Sequence, residues 1–336
     1  MDVVLQTSNQ PLAHRIVLYF NDKSLNVFPR EGCGDEAVEL GPFTNKVGPA
    51  LALIRNVTLP QETFVEWLRG SFLFRYVDRL YWLDPDAPPV TTPEQVAAAV
   101  VREVTNGATL RDALPLDIQL EPRENSHVLS VVQVDMDRLR YSLTPQNLNY
   151  RQSTHKAGRL ADSCSTAVYK LQEALHVVGI STTEIGTAID LGAAPGAWTS
   201  YLAKQARQVI SVDPAELSQD VTALSNVVHI KTKAEDAVEK IQQLAMDDSG
   251  ADLVVCDMNQ HPFQAVDTIK CILPVLKRGG WVVWTLKFFG VGRDRDAKLH
   301  SVQEKLMASV GGVKFVWLMA NTLSERTLVG RKEGLD

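Results

Sequence analysis

The chain has 336 residues, 45% of them hydrophobic and 22% charged, with a formal net charge of -6. That length accommodates two domains of ordinary size, and the composition excludes collagen-like, low-complexity and small disulfide-stapled classes. The acid excess excludes a histone-like protein that holds nucleic acid by bulk positive charge, and no apolar run approaches the roughly 18 residues of a membrane-spanning helix.

At the N-terminus, Met1 to Gln6 shows neither a basic segment leading into an apolar one nor an Arg/Ser-rich leader, so a cytoplasmic protein without membrane association is expected. Residues 1–150 hold 13 Lys and Arg against 19 Asp and Glu. In this stretch, strand-like runs at Arg15–Phe20, Phe72–Leu83, Leu116–Leu120 and Val128–Val134 mix with helical segments near 61–69 and 93–105. The segment Asp84–Thr92 has the composition of a linker. An α+β region over 1–150, in one or two pieces, is the expectation.

The charges balance at 21 against 21 from residue 151 onward, with local basic stretches at Arg151, His155, Lys156, Arg159 and at Arg293, Arg295, Lys298. A solvated charged face is the ordinary reading of such stretches. From Thr187 a regular alternation sets in. Strands are predicted at Thr187–Leu191, Val209–Val212, Val227–Lys231, Leu253–Cys256, Trp281–Leu286, Phe315–Met319 and Thr327–Val329, with helices near 197–206, 234–246, 263–277 and 296–309. Near-continuous apolar strands separated by helices predict a Rossmann-like α/β domain over about 155–336, with a mostly parallel seven-stranded sheet covered on both faces. The last two strands are too close for a crossover helix and are expected as an antiparallel hairpin at the edge. The four cysteines, Cys33, Cys164, Cys256 and Cys271, form no C-x-x-C pair and read as reduced and structural, with no metal site expected.

The first strand of this domain runs directly into Gly192-Ala193-Ala194-Pro195-Gly196-Ala197-Trp198. A loop of small residues at the carboxyl edge of a parallel sheet lets backbone approach a cofactor. The G-x-G-x-x-G spacing of a pyrophosphate cradle is absent, which disfavours NAD and FAD. The next strand ends in Asp213, 21 residues after Gly192, where a carboxylate can accept both hydroxyls of a ribose. Loop and acid together indicate an adenosyl cofactor without a pyrophosphate, S-adenosylmethionine. Lys287 stands between Leu286 and Phe288, and an ammonium in so apolar a setting needs carboxylate partners or a tuned proton affinity. Asp257 ends the neighbouring strand and can meet it above the cofactor loop. The plain alternatives are that Lys170 is a solvated helix lysine, Glu325 a surface acid, Asp213 a helix cap and Trp198 core.

The stretch Asp190-Leu191-Gly192-Ala193-Ala194-Pro195-Gly196-Ala197-Trp198-Thr199 resembles the first motif of FtsJ-type ribose 2'-O-methyltransferases, and the resemblance extends over about 163–332. It implies a Lys-Asp-Lys-Glu tetrad at Lys170, Asp257, Lys287 and Glu325. It also implies S-adenosylmethionine bound by Ser165, the 192–198 loop, Asp213 and Asp257, leaving S-adenosylhomocysteine as product. The helix Lys170-Leu171-Gln172-Glu173-Ala174 resembles the branch that methylates large-subunit ribosomal RNA and carries a THUMP-like front domain. That branch implies RNA as partner and a recruiting role for residues 1–150. The chain departs from the family pattern at Thr166 and Lys233, where an Arg and an Asp are usual. Methylation of a cap or a tRNA, a non-catalytic RNA-binding role and a small-molecule methyltransferase are the alternatives, and the oligomeric state is left open.

Overall fold

A computed structural model describes residues 1–28, 39–40, 50–83, 127–135, 138–145, 167–182, 185–246, 250–288, 295–307 and 310–332. The predicted linker 84–92, helix 93–105 and run Leu116–Leu120 lie outside them, as do Ser165, Thr166, Cys33, Cys164, Arg293 and the basic stretch at 151–159. The chain divides into two compact units, Met1–Gly158 and Arg159–Asp336.

The first unit is α+β. It begins β1 (Asp2–Thr7), α1 (Gln10–Asn21), β2 (Glu39–Leu40), β3 (Ala50–Ile54), α2 (Gln61–Gly70), β4 (Val77–Leu83). The sheet order is β2-β3-β1-β4, antiparallel throughout, which is the split βαβ arrangement of ferredoxin-like modules. A hairpin of β5 (His127–Asp135) and β6 (Arg138–Pro145) follows. Arg15–Phe20, expected as a strand, is the C-terminal half of α1. The Asn9 side chain accepts from Leu12 N–H at 3.1 Å, Pro11 sits in the first turn, and the buried Ala13, Ile16 and Tyr19 recur every third residue, a helical period that outweighs the β-branched pair Ile16-Val17. Phe72–Leu83 is a strand only from Val77, because Phe72–Arg75 closes a 3-10 turn.

The second unit opens with α3 (Val168–Val177) and then alternates β7 (Ile185–Leu191), α4 (Ala197–Ala203), β8 (Ala206–Val212), α5 (Gln219–Thr222), β9 (Val227–Ile230), α6 (Val238–Met246), β10 (Ala251–Cys256), α7 (Pro262–Ile272), β11 (Leu276–Lys287), α8 (Arg295–Met307), β12 (Gly311–Val316) and β13 (Glu325–Arg331). The seven strands lie in the order β12-β13-β11-β10-β7-β8-β9. All pairings are parallel except those of β13, which runs antiparallel to both β11 and β12. The two last strands therefore form the expected antiparallel hairpin at the edge of the sheet, with β12 outermost and β13 between it and β11. A short connection dictates an antiparallel partner and says nothing of the second neighbour; the run of buried residues Thr327–Gly330 is what suits β13 to the interior.

From β7 the chain winds through β8 and β9 to one side and through β10 and β11 to the other, so the strand order reverses between β7 and β10. In such sheets the crevice at the carboxyl ends of those two strands is where ligands sit. Ile189, Val254 and Leu286 are fully buried just short of this edge, each contributing about 1.5 to 3 kcal/mol by burial. The strand ends are thereby held rigidly, and with them the residues that follow: Gly192 after β7, Asp213 after β8, Asp257 after β10 and Lys287 closing β11.

Candidate active site

The chain turns at once on leaving β7. Gly192 has φ +79°, and a Cβ there would lie 2.8 Å from both the Cα and the N of Met258, so the loops after β7 and β10 touch at a point only glycine fits. Gly196 has φ +114°, and its Cβ would meet Val221 at 2.9 Å. Ala193 and Ala197 are buried, Ala194 half-buried and Pro195 exposed. The N–H groups of Gly192 and Ala193 donate to the Val212 carbonyl at 2.9 and 3.3 Å, tying the loop to the end of β8. There Asp213 accepts from Ala194 N–H at 3.1 Å on one oxygen and from Ala215 N–H at 2.8 Å on the other. Each oxygen keeps a lone pair, and the side chain is half-exposed at the rim of the loop. A loop with no bulky side chains beside such a carboxylate is a fit for an adenosyl group.

Trp198 is buried, and its indole N–H donates to the Ala167 carbonyl at 2.7 Å, fastening α4 to the start of α3. Asp190 is also buried; its carboxylate accepts from the Thr199 hydroxyl at 2.7 Å, which lies 2.9 Å from the Ser211 hydroxyl. Burial pushes its pKa up to about 7, the Asp257 and Asp213 charges adding to the rise and the Thr199 bonds opposing it. Burial likewise pushes the Cys256 thiol up to about 12, in keeping with an unreactive structural cysteine.

Lys170, Asp257, Lys287 and Glu325 come from four different elements and converge. Lys170 Nζ donates to Glu325 Oε1 at 2.9 Å and lies 3.8 Å from Asp257 Oδ1. Lys287 Nζ lies 3.2 Å from the same Oδ1 and donates to the Asp257 carbonyl at 2.8 Å. The sheet brings the second pair of partners together directly, because Lys287 and Glu325 face each other across β11 and β13. The ion-pair distances do not make Asp257 Oδ1 a satisfied acceptor: it is buried and takes no aligned hydrogen bond from either ammonium. Asp257 Oδ1 thus stands between the two ammoniums as a charge partner. Burial acts to raise the Glu325 carboxyl, but the Thr322 amide, the Lys170 bond and the Lys170 and Lys287 charges outweigh it and hold the group below the usual carboxylate range.

One further acid lies in this neighbourhood outside the expected site residues. Glu173 is buried on α3, one turn beyond Lys170, and its two oxygens accept the N–H groups of Met319 and Ala320 at 2.5 and 3.1 Å. Its place in the Lys170–Ala174 run that carries the branch resemblance, and its spacing of three from Lys170, which puts both on one side of a helix, are the signals that point to it. Of the expected basic residues, Lys298 lies half-buried on α8. Lys233 precedes a 3-10 turn, with Glu235 exposed within it. Among the described residues no helix is long and apolar enough to cross a membrane, and no cluster of metal-ligating side chains occurs.

Residues 164–312 match the model of the FtsJ-like methyltransferase family, a span that lies within the second unit and makes it FtsJ-like in sequence, in line with the motif at Asp190–Thr199. Over 170 residues the chain is 28% identical to an uncharacterized protein of Methanocaldococcus jannaschii, covering 48% of this chain and 45% of that protein. Over 167 residues it is 30% identical to the ribosomal RNA large subunit methyltransferase M of Photorhabdus asymbiotica, covering 46% of this chain and 43% of the relative. The chain thus spans about half the length of the curated relatives it matches. The fibrillarin/Nop5p complex aligns with a TM-score of 0.40 at 16% identity, over 49% of this chain and 80% of that one.

Proposed function

We propose that this protein transfers the methyl group of S-adenosylmethionine to a ribose 2'-hydroxyl of RNA, and that its substrate class is large-subunit ribosomal RNA. The observation that carries the reading is the convergence of two lysines and two carboxylates at the carboxyl edge of the sheet, beside a loop shaped for an adenosyl group. Backbone from Gly192 to Ala197 lies along the cofactor, Asp213 accepts its ribose hydroxyls, and Trp198 supports the loop from beneath. The cofactor supplies an electrophilic methyl group on a sulfonium.

The protein's part is to place the acceptor oxygen in line with that methyl and to take its proton. Lys287, having first released its own proton to solvent, accepts the proton of the 2'-hydroxyl at Nζ. The Asp257 carboxylate keeps Lys287 in place, and Lys170, held by Glu325, supplies a donor to the substrate oxygen. Two carboxylates, Asp257 and Glu325, beside two ammoniums let both cations stand close together without a net excess of positive charge. Relatives named for large-subunit ribosomal RNA support the substrate class, and the α+β unit at the front is assigned to RNA recruitment.

The test is transfer of labelled methyl from S-adenosylmethionine to large-subunit ribosomal RNA transcripts, followed by alkaline hydrolysis. Methylation of a 2'-hydroxyl leaves an alkali-resistant dinucleotide. Label found only in bases, or no incorporation into ribosomal RNA while cofactor binds, would overturn the reading.

A further inference from the structure

The segment between β12 and β13 has no regular structure, yet the N–H groups of residues 318–322 are taken up by acids and by the segment itself. Leu318 N–H goes to Asn321 Oδ1 at 3.0 Å, Met319 and Ala320 N–H to Glu173, Asn321 N–H to the Leu318 carbonyl at 3.0 Å and Thr322 N–H to Glu325 Oε2 at 2.8 Å. Asn321 Oδ1 also receives the Thr327 hydroxyl at 3.2 Å, closing the segment onto β13. Helix α3 grips this segment twice: Glu173 at residues 319 and 320, and Lys170 at Glu325. The first grip has no place in the chemistry proposed above. It is nonetheless a buried carboxylate whose two oxygens each accept a backbone amide.

We propose that Glu173 is a positioning residue: by fixing residues 319 and 320 against α3 it holds Glu325 on Lys170, and so sets where the Lys170 ammonium stands. The kinetic consequence rests on the methyl-transfer reading; the structural coupling does not. Charge-assisted bonds from two amides to one carboxylate are short and directional, which suits them to hold an irregular segment in a single place. Replacing Glu173 by Gln leaves one acceptor and turns a donor toward the other amide, so the 319–320 backbone must move away from α3. Misplacement of a reacting group by about 1 Å is worth roughly 10²-fold in rate.

Three variants, Glu173→Gln, Glu325→Gln and the double, separate this role from general support of the fold. Two readouts are used: kcat and KM for methyl transfer, and the Lys170 15Nζ resonance, assigned with Lys170→Arg. Glu173→Gln is expected to lower kcat by about 10²-fold with the KM for S-adenosylmethionine unchanged, the double variant is expected to be no slower than Glu325→Gln alone, and the Lys170 resonance is expected to move toward its Glu325→Gln position. Losses that multiply in the double variant, or a Lys170 resonance that stays in place in Glu173→Gln, would overturn the inference. If Glu173→Gln does not fold, Glu173→Asp, which keeps the buried charge but is one methylene short, is read by the same two measures with the same criteria. Absence of ribose methylation by the wild-type protein removes only the functional reading, and the resonance alone then decides.

Discussion

Replacing Asp257 by Asn removes a charge and almost no volume. Asp257 Oδ1 lies 3.2 Å from Lys287 Nζ and 3.8 Å from Lys170 Nζ. At an effective dielectric constant of about 20 these separations correspond to ~5 and ~4 kcal/mol of attraction. The three side chains are 13 to 18% exposed, so solvent screens them only slightly, but the gross attraction is set against the hydration each group gave up. Breaking one side of a desolvated pair typically costs about 3 to 5 kcal/mol, and the residual exposure places this case near 3. Urea denaturation at pH 7 and low salt measures it. The Asn variant leaves two ammoniums sharing Glu325 alone, so adding Lys287→Met to it should recover part of the loss rather than deepen it. An Asp257→Asn protein within about 0.5 kcal/mol of wild type, the range of an ordinary surface substitution, would refute the electrostatic reasoning, as would a double variant weaker than either single one.

Lys287→Met keeps the apolar stem and should fold and bind cofactor, while methyl transfer falls by about 10²- to 10⁴-fold; a near-wild-type rate would remove the base from Lys287. Gly192→Ala puts a Cβ 2.8 Å from the Met258 backbone at φ +79°, so calorimetry should show cofactor affinity lost along with about 1 to 3 kcal/mol of stability, and unchanged binding would mean the loop does not form the cofactor's bed. Asp190 has a folded pKa of about 7 against an ordinary 3.8, so between those values the folded state keeps a proton that the unfolded state has lost and stability falls as pH rises, by at most ~4 kcal/mol. Asp190→Asn, neutral throughout and still an acceptor for Thr199, should flatten that dependence in urea midpoints at pH 4.5 and 7.5; equal slopes for the two proteins would place the protonation elsewhere.

The second unit was legible because its strands are buried on both faces and read as unbroken apolar runs, and because residues that interrupt that pattern at strand ends, such as Asp257 and Lys287, stand out against it. Lys170 and Glu325 are recognisable only by resemblance, since a lysine on a helix and an acid in a loop have ordinary explanations. What the sequence conceals is pairing. Nothing in Thr327–Val329 says that β13 slips between two strands, and nothing in Glu173 says that its partners are backbone amides some 146 residues away. The run Arg15–Phe20 reads as a strand because Ile16 and Val17 favour strands locally, whereas the cap at Asn9 and the three-residue burial period speak for the observed helix only when weighed together.

The placement of β13 also bears on how the protein is made. Strands β11 and β12 emerge from the ribosome before the strand that joins them, so a nascent chain that has reached residue 320 carries β11 as a long apolar edge with Lys287 at its tip and no Glu325 opposite. Such an edge invites pairing with other chains, and the Lys170 and Lys287 pair lacks Glu325, one of its two carboxylates. Insertion of β13 removes both deficiencies in one event. Acquisition of a closed sheet and acquisition of a complete site are therefore the same step in biogenesis, and a chain stopped at residue 320 is expected to sediment with aggregates.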